Sequence, residues 1–132
     1  MRLFRLLGSC IALAAMTPAT AAPISMSPAV QQDVRCFTLF AAAVDQAGKA
    51  KNDEAREAIS LGVMYFLGKL TIEAPKLNLV DAVHQEVAAM NGNPNAKAVG
   101  TACDSEFAER GQELVNFAQT LQQSATQSSS SS

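Results

Sequence analysis

Apolar residues recur every three or four positions from Val30 onward, at Val30, Val34, Phe37, Ala41 and Val44. That spacing belongs to one buried helical face and predicts a first helix over 28–47, with Cys36, Phe40 and Ala43 flanking the stripe. Ser27-Pro28 supplies an N-cap followed by proline at the first helical position, where no hydrogen bond is lost. Gly48 is the expected C-terminal cap. After a polar turn, Asn52 or Asp53 caps a second helix over 53–70, and Asp53 and Glu54 suit its positive end. The stretch 59–70 is apolar on nearly every side, which predicts a helix in the middle of a bundle. Gly62 is expected at a close helix–helix contact and Gly68 near a fraying end, since each costs roughly 1 kcal/mol against alanine. Tyr65 and Phe66 read as core.

Asn78, with Asp81 three residues on, resembles a capping box and starts a third helix over 79–90. Leu79, Val83, Val87 and Met90 form its apolar face, and Leu77 and Ala82 make a weak staple. Asn91-Gly92-Asn93 is a turn, and Asn93-Pro94 repeats the cap-plus-proline start. A fourth helix over 94–123 carries a stripe of Val99, Cys103, Phe107, Leu114, Ala118 and Leu121, with Gly111 completing the spacing. Residues 124–132 are almost all serine, threonine and glutamine, have nothing to bury, and are expected to be disordered. No strand-type alternation occurs. The reading is an all-α domain over 22–123, a small four-helix bundle with up-down-up-down topology.

The first 21 residues read differently. Arg2 and Arg5 precede an apolar run over 6–16 and then the small residues Ala19-Thr20-Ala21-Ala22. This is the layout of a secretory signal peptide. Cleavage is placed after Ala21, because a cut after Ala22 would leave Pro23 first. An apolar run of 11 residues is too short for a membrane anchor, which needs about 20. Leu7-Gly8-Ser9-Cys10 loosely matches a lipidation box, but only four residues separate Arg5 from Cys10, too few for a hydrophobic core. The mature chain would be periplasmic or secreted, with 111 residues and no membrane span.

Removal of Arg2 and Arg5 leaves 8 basic against 12 acidic residues, a formal charge of −4. That balance argues against nucleic acid and anionic membrane surfaces as partners. Cleavage also removes Cys10, so Cys36 and Cys103 remain as an even pair in an oxidising compartment, which predicts one disulfide. In an up-down-up-down bundle the first and fourth helices are neighbours. Cys36 lies 12 residues before Gly48 and Cys103 lies 9 after Pro94, a mismatch of about 4–5 Å at 1.5 Å per residue. A bridge between these two helices therefore fits. Two buried free thiols are the alternative expected of a reducing cytosol. A redox-active pair usually has C-x-x-C spacing, and a metal site needs more soft ligands than two distant cysteines and one histidine.

Little in the chain points to catalysis. His84 is the single histidine and falls with Asp81 and Gln85, off the apolar stripe, as a solvated residue does. No H-E-x-x-H, G-x-S-x-G, phosphate-loop or dinucleotide fingerprint is present. Asp104, Glu106, Glu109 and Glu113 crowd the fourth helix around Arg110 and read as a solvated face, with Glu106–Arg110 as an attractive i,i+4 pair. No catalytic residue, cofactor or metal ligand is assigned.

Three stretches together resemble a group of short exported bacterial helical proteins with a cysteine pair. They are Cys36-Phe37, Tyr65-Phe66-Leu67-Gly68-Lys69-Leu70, and Ala102-Cys103 followed by Arg110-Gly111-Gln112-Glu113-Leu114. The resemblance implies a fold and brings no activity with it. In layout the chain is also similar to small periplasmic immunity-type proteins and, more loosely, to small acid-stress chaperones. The expectation is a non-enzymatic interaction module of the bacterial envelope, of immunity type or a stress factor. The alternatives are an acid-stress chaperone or a binder of a small apolar ligand. The partner and the oligomeric state stay open.

Overall fold

The computed structural model describes residues 22–129, with side chains to residue 125. The expected signal segment, residues 1–21, lies outside the described residues. Four helices follow in order: α1 (Pro28–Lys49), α2 (Asp53–Glu73), α3 (Leu79–Met90) and α4 (Ala96–Ser129). No strand occurs among the described residues. The N-caps of α1, α2 and α3 are those the sequence announces. Ser27 accepts from the Val30 N–H, Asn52 from Ala55, and Asn78 from Asp81 while donating to the Asp81 carboxylate at 2.6 Å.

Three boundaries move. α1 runs past Gly48 to Lys49, and the left-handed residue of its exit is Lys51 (φ 54°), so Gly48 is not the cap. The exit closes three residues later, at Lys51, where the Asn52 N–H reaches back to the Ala47 carbonyl at 3.0 Å. α2 continues to Glu73. α4 begins at Ala96 rather than Pro94 and continues to Ser129, so residues 124–129 of the serine-rich tail are helical.

α1 and α2 form an antiparallel hairpin: Asp33 lies opposite Lys69, Phe40 opposite Gly62, and Gly48 opposite Arg56. Gly62 makes the close contact its spacing suggested, since a Cβ there would overlap the Phe40 ring. The central helix is α1, not α2. α1 packs against all three others. α2 buries only Gly62, Phe66 and Leu70, and leaves Leu61, Met64 and Ile72 exposed. Its all-round apolar character is therefore not explained by burial within this chain.

Two apolar clusters share the hairpin. Val30, Val34, Leu70 and Ala82 form one, closed by α3 and by Ile24 and Met26 of the lead-in segment. Cys36, Phe40, Phe66 and Cys103 form the other, closed by Val99 and Phe107 of α4. The face of α3 is rotated from the expected one: Ala82 and Glu86 are buried and Val87 is exposed. The reason is that Glu86, not Val87, meets a partner on α1.

Candidate functional site

The Cys36–Cys103 disulfide links α1 to α4, with Cα atoms 5.3 Å apart and both residues buried. Gln32, one turn before Cys36, donates from Nε2 toward both sulfurs, at 3.5 and 3.7 Å. Around the bridge the rings interlock. Phe40 stands 5.5 Å from Phe66 and 5.4 Å from Phe107, and Tyr65 stands 6.0 Å from Phe107. Edge and tilted contacts of this kind add about 0.5–1.5 kcal/mol each beyond area burial. The bridge thus sits inside a packed aromatic cluster and does not face solvent as a redox site would.

One turn along α4 the packing becomes ionic. Lys69 Nζ donates to Asp33 Oδ1 and Glu106 Oε1, each at 2.6 Å, and the Tyr65 hydroxyl donates to the same Glu106 oxygen at 3.0 Å. One lysine on α2 therefore ties α1 and α4 together. Burial opposes the charge on Lys69, but the hydrogen bonds to Asp33 and Glu106 outweigh it and raise its pKa above 10.5. Burial likewise opposes ionisation of Glu106, and the hydrogen bonds from Lys69 and Tyr65 outweigh it, so its carboxyl lies below the usual 4.5. Burial, then donation to Glu106, raises the Tyr65 phenol above 10.0. Asp33 Oδ2 is buried without a hydrogen-bond partner.

A second tie joins α1 to α3. Glu86 is fully buried and accepts from Arg35 Nε at 2.6 Å and Gln31 Nε2 at 2.7 Å. Beside it, Gln85 accepts from the Ile24 N–H at 2.6 Å and donates back to its carbonyl at 3.1 Å, which fixes the lead-in segment. Hydrophobic periodicity does not mark Asp33, Arg35, Lys69 or Glu86 as interior residues. The available signals were a lone lysine inside the apolar run 65–70 and an aspartate beside Val34 on the apolar stripe of α1.

The other candidates scatter. His84 is exposed on α3. The four carboxylates of α4 split: Glu106 turns inward, while one Arg110 guanidinium nitrogen, Nη1, donates to both Glu113 oxygens at 2.8 and 2.7 Å, and Arg110 makes no such pair with Glu106. No group of three metal-ligating side chains gathers among the described residues.

The largest unexplained feature is apolar. Beyond Phe107 every α4 residue with a described side chain is exposed, so Leu114 (70%), Phe117 (61%) and Leu121 (54%) touch no core. The expected stripe exists, but only Val99, Cys103 and Phe107 are packed. α4 meets the hairpin over that one segment and then projects past it. Leu61, Met64 and Tyr65 of α2 face Phe107, Gly111, Leu114 and Phe117 across an open groove of about 800 Å³, with Arg110 and Glu113 at its rim.

Against known proteins the chain is without a match: no family model, no curated protein and no solved structure matches it. The resemblance to exported helical proteins accordingly stays at the level of the three stretches that suggested it.

Proposed function

We propose that the mature chain is a periplasmic or secreted, non-catalytic protein-interaction module that binds through the apolar face shared by α2 and the distal part of α4. An immunity-type or stress role suits such a module. The observation that carries the reading is the groove lined by Leu61, Met64, Leu114 and Phe117. Exposed contiguous apolar surface of this kind marks interaction sites in stable proteins. The signal-like leader and the intramolecular bridge support export. The two charge clusters support a structural role for the ionisable groups, since each is satisfied mainly by neighbouring helices.

A photo-reactive residue at position 114, expressed in the exported chain, tests the reading. A discrete crosslinked polypeptide is expected, and a control at Asn116 on the opposite side of α4 should give none. Equal, diffuse labelling at both positions would sink the proposal.

A second reading, an acid-activated chaperone, is favoured by one observation: the Glu106 carboxylate, depressed by its contacts, holds α4 to Lys69 and Tyr65 of α2. Its protonation would loosen that contact while the disulfide kept α4 tethered to α1. Unchanged dye binding and tertiary circular dichroism between neutral pH and about pH 3 would remove it.

A further inference from the structure

We infer that the occupant of the α2–α4 face is a second copy of this chain, docked through antiparallel pairing of the two distal α4 segments. The inference rests on the interaction-module reading and names its partner. Three observations carry it.

The first is area. Leu61, Met64, Leu114, Val115, Phe117 and Leu121 are between 49% and 70% exposed. Together they offer on the order of 700 Å² of side-chain surface per copy, close to the roughly 800 Å² per partner of a standard interface. Such a patch exceeds the largest found on ordinary monomers, about 300–600 Å².

The second is self-complementarity. Along the stripe large and small residues alternate: Gly111, Leu114, Ala118, Leu121. Two such helices laid antiparallel about a two-fold axis at the level of residue 116 place Leu114 against Ala118 of the other copy, and Gly111 against Leu121. Each large side chain then fills the space left by a small one, as close helix packing requires. A two-fold axis uses the same patch on both copies, so it closes at the dimer and leaves no repeating edge.

The third is charge. From Leu114 to Ser132 the chain has no Asp, Glu, Lys or Arg. In the antiparallel register Arg110, at the rim of the groove, lies level with the uncharged Gln122 of the other copy, so no like charges meet. A parallel pair would set Arg110 beside its own counterpart.

The test is the solution mass of the exported, bridge-intact chain by sedimentation and light scattering over a concentration series. A reversible dimer is expected. Leu114→Glu with Phe117→Glu should raise its dissociation constant by about 100-fold, with the helical spectrum and the disulfide unchanged. Ala118→Phe should block the close approach equally, while Asn116→Phe on the far side of the helix should not. A chain that stays monomeric up to about 300 µM would overturn the dimer. So would a dimer indifferent to both Leu114→Glu/Phe117→Glu and Ala118→Phe. The broader reading is judged separately: a position-114 crosslink to a different polypeptide keeps the module and discards the self-pairing.

Discussion

Lys69 is the residue on which three helices depend. Its ammonium balances Asp33, whose side chain is 3% exposed, and Glu106 at the edge of α4. Breaking such a pair from one side leaves a buried charge without compensation, which costs on the order of 3 kcal/mol. Lys69→Met should destabilise by about that much in urea unfolding. Adding Asp33→Asn should recover part of the loss, because the charge left behind is then gone. Additive single effects would show that the two groups do not interact in solution. Lys51 offers the opposite case. It holds φ 54° at the exit of α1, a conformation glycine adopts without steric cost. Lys51→Gly should therefore be neutral or stabilising by up to about 1 kcal/mol, whereas most glycine substitutions destabilise. A clear loss of stability would mean that the exit conformation is not strained.

At the scale of elements, the four helices and the N-caps of the first three were legible because local chemistry decides them. Ser27, Asn52 and Asn78 each cap where a short polar side chain precedes an apolar period. What periodicity could not tell was which apolar residues find a partner. Leu114 and Leu121 belong to the same stripe as Cys103 and Phe107, yet α4 outruns the hairpin and leaves them outside. Glu86 was hidden for the complementary reason: a charged residue reads as surface unless its partner, here Arg35 on another helix, is known. The Cys36–Cys103 link was legible from the expected signal segment and the helix lengths together. The groove was not, because it joins residues far apart in sequence on α2 and α4. The α2–α4 tie also sets a pH dependence. The Glu106 carboxyl is depressed, so its contribution is present above the ordinary 4.5 and lost as pH falls through its folded value. Lys69 is raised, so its contribution is present below 10.5 and lost as pH rises through its folded value. The melting temperature should fall at both ends, and Glu106→Gln should flatten the acid limb. An unchanged acid limb in that variant would show that Glu106 is not tied in solution.

At the scale of the molecule, the fold is a hairpin with two lids. α3 closes one cluster through Ala82, Leu79 and Val83, and α4 closes the other through the bridge and Phe107. Because α4 is packed over one short segment only, the bridge carries much of its attachment. The closed loop spans 67 residues, and the chain-entropy model assigns it on the order of 4 kcal/mol. Reduction should lower the melting temperature sharply and release α4 before α1 and α2 lose protection. Simultaneous loss of all four helices would show that the hairpin has no stability of its own.

The central claim is that α4 has two roles along one stripe: residues 99–107 close the core, and residues 111–121 present a surface to another polypeptide. Amide hydrogen exchange on the bridge-intact chain, run from dilute to concentrated solution, separates them residue by residue. The account predicts protection of 99–107 at every concentration, and protection of 111–121 and of the Leu61–Met64 turn of α2 that rises with concentration. Distal amides as protected as those of α1 in the most dilute sample would contradict it, because that stripe would then belong to the core of the single chain.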